Sequence, residues 1–279
     1  METTLPKISF CNHELSKLVI GDNPFYGFSH FNHLLSQHQK EFNTPEQVVK
    51  TLKRAEEVGI NGWQNSITER SQSDLQRFRD AGGTMHWFCL SWSTEWYENP
   101  DKVFEDVKMK PIGMAPHGGG VGQRCLREKK FDLLQDILKR IRDTGVLVGL
   151  SVHDPKLLHI AEDKGWDIDY YMTALYNLHG GSDKFREKFG YAPLGEVYAR
   201  EDREEMSETI QRTNKPCLIF KVLAAGRTIG SQQQIRDEFK YAIDNSKPND
   251  ALLLGMYQQF SDQIGENAAM ITEICAELE

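Results

Sequence analysis

The stretch from Gly145 to Leu178, GVLVGLSVHDPKLLHIAEDKGWDIDYYMTALYNL, constrains the fold more than any other part of the chain. Val146 to Val152 is an almost unbroken apolar run, as expected of a strand buried on both faces of a parallel sheet. Asp154 then caps a helix whose first position is Pro155, where a missing N–H costs nothing. Leu157, Leu158, Ile160 and Ala161 give that helix an apolar face, and Gly165 ends it. Asp169 to Leu175 forms the next strand and runs into Tyr176 and Asn177. A right-handed crossover brings both strand ends to the same rim, so His153, Asp154, Tyr176 and Asn177 are expected to face one cavity.

The same phrase recurs along the chain. Strands are predicted at Lys17–Ile20, Gly59–Gln64, Met85–Leu90, Pro111–Ala115, Cys217–Val222 and Ala251–Met256. Helices are predicted at Thr44–Val58, Ser71–Ala81, Phe131–Asp143, Arg203–Thr213, Ser231–Asp244 and Ser261–Glu277. About eight such alternations in 279 residues predict one α/β domain over 1–279, a closed (β/α)8 TIM barrel, a fold of roughly 250 residues. Long strand-to-helix loops are expected near 24–43 and 179–202.

Composition limits the partners. Net charge is −8 with no basic stripe, which excludes a nucleic-acid role. No apolar run approaches the roughly 20 residues of a membrane span, and the N-terminus carries no secretory pattern. The expectation is a cytoplasmic protein acting on a small molecule. The five cysteines contain no C-x-x-C pair and read as reduced thiols. Oligomeric state is not legible.

In a barrel of this kind chemistry sits at the C-terminal ends of the strands. The residues there are Asp22, Asn23, Gln64, Asn65, Ser91, Trp92, His117, His153, Asp154, Tyr176, Asn177, Lys221 and Gln258. Asp22-Asn23-Pro24 also reads as a turn bonded to its own backbone, and Asp154 as a helix cap. His117 stands between a strand and the glycine-rich HGGGVG, where a core histidine would find little apolar cover. Lys221, inside LIFKV, must reach the mouth or pair with a carboxylate. It binds a substrate anion, forms a Schiff base or serves as an ion-pair partner. Asp22, His117 and His153 are metal-ligand types without metal-motif spacing, a weak alternative to a metal-free site. His30 and His33 read as surface residues.

The opening LVIGDNPFYG, VGINGWQNS, the Gly145–Leu178 stretch, KPCLIFKVLAAGR and LLLGMYQQFSDQIGENA together resemble the aldo-keto reductase superfamily, over nearly the whole chain. The resemblance implies a barrel and, with it, NADP or NAD as cofactor. It places His117 on the family's fourth-strand histidine. Gln64 occupies the second-strand aspartate position, and Glu69 stands near the proton-donating tyrosine. The third strand, His86 to Ser91, carries no lysine. Ser151, Tyr176 and Asn177 correspond to a nicotinamide pocket, and Lys221 to a phosphate-contacting region. Tyr257 to Ser261 replaces the basic segment that holds the 2′-phosphate of NADP.

Three readings follow. The first is a divergent oxidoreductase acting on a polar, sugar-like carbonyl compound, with His117, Lys221, Asp22, Gln64 and Glu69 as catalytic candidates. Asn23, Trp92, Ser151, His153, Tyr176, Asn177 and Gln258 join Lys221 in binding. The second is a lyase, isomerase or hydrolase using the same acid and base groups, with or without a divalent metal. The third is a catalytically empty small-molecule-binding barrel.

Overall fold

Leu147–Val152, Pro155–Asp163 and Tyr170–Ala174 form the parallel strand-helix-strand unit that the apolar run and the Asp154 cap predict. The Lys156 N–H donates to Asp154 Oδ1 at 3.0 Å, and Leu150 lies opposite Tyr171 in the ladder. The computed structural model describes residues 4–91, 96 and 99–278. Its first two strands, β1 (Lys7–Phe10) and β2 (His13–Ser16), make an antiparallel hairpin. Eight parallel strands follow: β3 (Leu18–Gly21), β4 (Gly62–Ser66), β5 (His86–Ser91), β6 (Gly113–Pro116), β7 (Leu147–Val152), β8 (Tyr170–Ala174), β9 (Cys217–Phe220) and β10 (Ala251–Gly255). They close on themselves, with Leu254 of β10 opposite Ile20 of β3. The predicted (β/α)8 TIM barrel is therefore observed.

Two apolar layers hold it together. Outward-facing strand residues such as Ile20, Trp63, Val148 and Leu150 pack against the helices in one cluster. A second cluster fills the barrel: Val19, Phe88, Leu90, Ala115, Met172, Leu218 and Leu253, with Phe10 and Leu15 from the hairpin. The hairpin thus plugs the N-terminal end, since every parallel strand starts there. Its turn residues, Cys11 and Asn12, both take positive φ, the backbone of a tight hairpin turn.

Phe10, Phe88 and Tyr170 meet edge-on at 5.6–5.7 Å between ring centroids. Room for Tyr170 comes from Gly149, where a Cβ would overlap its ring, and Gly113, where one would lie 2.8 Å away. The Tyr170 hydroxyl has no hydrogen-bond partner, and burial pushes its pKa well above the usual phenol value. Tyr170→Phe is therefore expected to raise the free energy of unfolding by about 1 kcal/mol, by removing an unsatisfied buried donor. Urea unfolding measures this, and a loss of similar size would mean that the hydroxyl is satisfied.

The two long strand-to-helix connections are present, but they are not bare loops. The first holds a short turn, Asn23–Tyr26, and the helix His33–Phe42. The second begins with the helix Leu178–Phe189 and is irregular only from 190 to 199. The following helix starts at Arg200, three residues ahead of the sequence expectation. HGGGVG is no loop either: Gly118–Gly122 coils into one wide helical turn behind β6. Among the described residues no helix is long and apolar enough to cross a membrane.

Candidate active site

All eight barrel strands run the same way, so residues at their exits converge on one mouth. There a cavity of about 380 Å³ opens between Asn23, Gln64, His117, Ser151, His153 and Lys221. Gln64 and His153 are each 6% exposed and Ser151 is fully buried. Four of their polar atoms, Gln64 Nε2, Ser151 Oγ and both ring nitrogens of His153, have no hydrogen-bond partner. Buried polar atoms are nearly always paired, so such groups at a cavity are open to a bound water or a ligand.

The His117 ring is locked by its own helical turn. Nδ1 accepts the Gly120 N–H at 3.0 Å, which puts the ring proton on Nε2. Burial, then Lys221 and the neighbouring imidazoles of His30 and His179, hold its pKa down to about 3, so the ring is neutral. A neutral ring with Nε2–H is a hydrogen-bond donor that needs no charge in the cavity. The same bond leaves Nε2 in the form that does not ligate a metal, because that nitrogen carries the ring proton and its electron pair belongs to the aromatic ring. Asp22 lies outside the cavity lining, and no group of three metal-ligating side chains occurs among the described residues. The weak metal alternative of Asp22, His117 and His153 is thus not assembled.

His153 lies 5.6 Å from His117 and 6.3 Å from His179 between ring centroids, with Phe220 edge-on at 5.4 Å. Burial first, then Lys221 and the other imidazoles, keep it well below the usual histidine pKa. Gly119 lets these imidazoles close around its backbone. A Cβ there would sit 3.1–3.4 Å from His117, His153 and His179 at once.

Lys221 follows β9 with φ +62°, a left-handed backbone that costs a non-glycine residue about 1–2 kcal/mol. Such strain is kept where surrounding structure demands it, often at functional sites. Burial lowers the ammonium pKa to about 8, opposed by Glu196 and assisted by Arg227. Glu196 Oε1 meets His30 Nδ1 at 2.7 Å, and the Tyr198 hydroxyl donates to Oε2 at 2.9 Å. Arg227 lies over the Tyr198 ring at 4.2 Å and donates to the His30 carbonyl at 3.1 Å. These contacts staple three rim segments over one side of the mouth.

A scan against protein-family models and a search of curated proteins both find no match. Solved structures do match. Apo Gox0644 is 10% identical with a TM-score of 0.56, covering 97% of this chain and 94% of that one. A Gox0644 point mutant in complex with NADPH is 11% identical with a TM-score of 0.55, covering 98% and 88%. Orotidine 5'-monophosphate decarboxylase from Methanocaldococcus jannaschii, complexed with the inhibitor BMP, is 12% identical with a TM-score of 0.53, covering 97% and 98%. At these identities the likeness establishes the TIM-barrel fold alone.

The residues behind β10 do not fit a dinucleotide phosphate. Gln258 is spent on capping, donating to Asp262 at 2.9 Å and accepting from the Ile264 N–H at 3.1 Å. Asp262 in turn caps the last helix and pairs with Arg54 at 2.7 Å. The Tyr257 hydroxyl meets His38 Nδ1 at 2.6 Å. The polar groups there are committed to one another, and the cation Arg54 is held by Asp262.

Of the residues predicted from sequence, Asn23, Gln64, His117, Ser151, His153 and Lys221 line the cavity, and the other described ones do not. Trp92 lies outside the described residues. Asp22 is buried, its Oδ2 accepting the Ser66 N–H at 2.6 Å, and burial pushes its pKa up to about 6. Glu69 is exposed at the start of the helix Glu69–Asp80, where a carboxylate favours the helix dipole, and it is no proton donor to the cavity. Tyr176 packs edge-on against Tyr198. Asn177 caps the helix Leu178–Phe189, accepting the Gly180 N–H at 3.0 Å. His30, read as a surface residue, lines the cavity instead, and His179, Ser182 and Glu196 join it from the second long connection. Their one sequence signal was position: polar residues in long insertions on the catalytic face of a barrel.

Proposed function

We propose that this barrel is an enzyme for a compact, polar carbonyl compound, with Lys221 as the nucleophile of an imine-forming lyase or isomerase. The supporting observation is a lysine amine at the exit of β9, sharing with a neutral imidazole donor a cavity whose polar floor lacks partners. His117 Nε2–H would donate to the carbonyl oxygen, drawing electrons from the carbon. The Lys221 amine adds to that carbon, and loss of water leaves an iminium that accepts electrons from a bond to the adjacent carbon. Glu196, held as a carboxylate against burial by His30 and Lys221, takes and returns the proton. An aldo-keto-reductase ancestry agrees with this layout and is proposed with it.

The amine must be neutral to attack. A pKa of about 8, against an ordinary lysine at about 10.4, leaves roughly a tenth of it neutral at pH 7. Imine formation should therefore rise with pH and level off above about 8, where an ordinary lysine would still be gaining. Borohydride reduction in the presence of glycolaldehyde, followed by peptide mass spectrometry across pH, tests this. Label spread over surface lysines, with no preference for Lys221, would sink the reading.

A second reading, a nicotinamide-dependent carbonyl reductase, draws on the likeness to the NADPH-bound Gox0644 mutant and on the unpartnered Ser151 Oγ. The groups behind β10 argue against it. Fluorescence titration of NADPH with stoichiometric protein discriminates, since the imine reading expects no change.

A further inference from the structure

We infer that the substrate of this site carries an oxyanion, a carboxylate or a phosphate, seated against His153 at the inner end of the cavity. The inference deepens the reading above and rests on it only for the identity of the site. His153 has both ring nitrogens unpartnered while nearly fully buried. Among the described residues, the groups that bear on it are basic or neutral: His117 from behind β6, His179 from the helix Leu178–Phe189, Lys221 from behind β9, His30 from behind β3 and the ring of Phe220. Ser151 Oγ and Gln64 Nε2 add two unpartnered groups, a hydroxyl and an amide donor. Among the described residues Glu196 is the one carboxylate in the lining, and it is already engaged by His30 and Tyr198. A cavity lined this way repels cations and leaves a buried imidazole with nothing to bond, whereas an oxyanion satisfies the donors and is attracted by Lys221.

Space comes from the cavity of about 380 Å³ that His153 lines together with His117, Ser151, His179 and Lys221. Gly119 lets the three imidazoles close around its backbone, since a Cβ there would crowd all of them at 3.1–3.4 Å. An oxyanion in that cavity faces His153, whose ring is kept neutral by burial and by its basic neighbours. The arriving negative charge reverses that balance, so His153 takes up a proton as the ligand binds. Anion affinity therefore falls as pH rises, while the imine chemistry of Lys221 moves the other way.

Calorimetric titration of the intact chain with inorganic phosphate, and separately with acetate, is the test, each in two buffers of different ionisation enthalpy at neutral pH. Saturable binding with proton uptake is expected, weakened about tenfold or more in His153→Leu and unchanged in the surface variant Lys139→Ala. Binding of phosphate alone assigns a phosphoester substrate, and of acetate alone a carboxylic acid. Binding of neither, or equal binding by His153→Leu, overturns the inference. Should His153→Leu fail to fold, His179→Ala at the exposed rim replaces it with the same expectation. Lys221 trapping without anion binding would refute this inference and leave the proposed function standing. Anion binding without trapping would do the reverse.

Discussion

Replacing Lys221 with methionine is expected to abolish imine trapping and to lower turnover of a carbonyl substrate by about a thousandfold or more, since removing a covalent nucleophile usually costs at least that. The same change should not weaken the fold. The native lysine carries two costs, a left-handed backbone and a buried ammonium, and methionine removes the second while keeping the length of the stem. The sign follows from the depressed pKa. Below about pH 8 the amine is protonated in folded and unfolded chains alike, and folding carries the full penalty of burying the charge. Between about 8 and the unfolded value near 10.4 the folded chain binds fewer protons, so wild-type stability gains with pH across that window. Lys221→Met lacks this gain. A variant that loses activity and also unfolds more readily at pH 7 would show that the ammonium holds the rim together, and Lys221 would then be structural.

Phe10→Ala should produce the largest loss of stability, about 3–5 kcal/mol for a fully buried aromatic. Phe10 is 0% exposed and touches Phe88 and Tyr170 edge-on inside the barrel. Its hairpin has strands of four residues each, too short to be stable alone, so docking rests on Phe10 and Leu15. Urea unfolding reads the effect. If the plug undocks before the barrel unfolds, the denaturant slope falls along with the midpoint. A change under about 1 kcal/mol with an unaltered slope would mean that the barrel interior is filled without it.

The barrel was legible because two periodicities alternate cleanly in the sequence. Apolar runs such as Val146–Val152 are too short for helices, and the helices between them carry their own stop signs, Pro155 at one end and Gly165 at the other. The hairpin was not legible. Its strands are short, its burial alternates only in part, and its turn uses Cys11 and Asn12 where glycine would have announced it. The site divides along a similar line. His117 and Lys221 stand beside strands, so knowing the strand places the residue. His30, His179 and Glu196 come from long connections whose course is set by helices His33–Phe42 and Leu178–Phe189, and no local pattern states which side chain of such a segment turns inward. Asn177 and Gln258 misled for the opposite reason. They too follow strands, but the next helix needed a cap more than the cavity needed a donor.

The hairpin beneath the strands has a kinetic meaning as well. With the far end stoppered, the barrel is a blind pocket, and whatever enters must leave through the same doorway. Product and incoming substrate therefore exclude each other, so product should inhibit competitively, and the slowest passage through the rim sets an upper bound on the cycle.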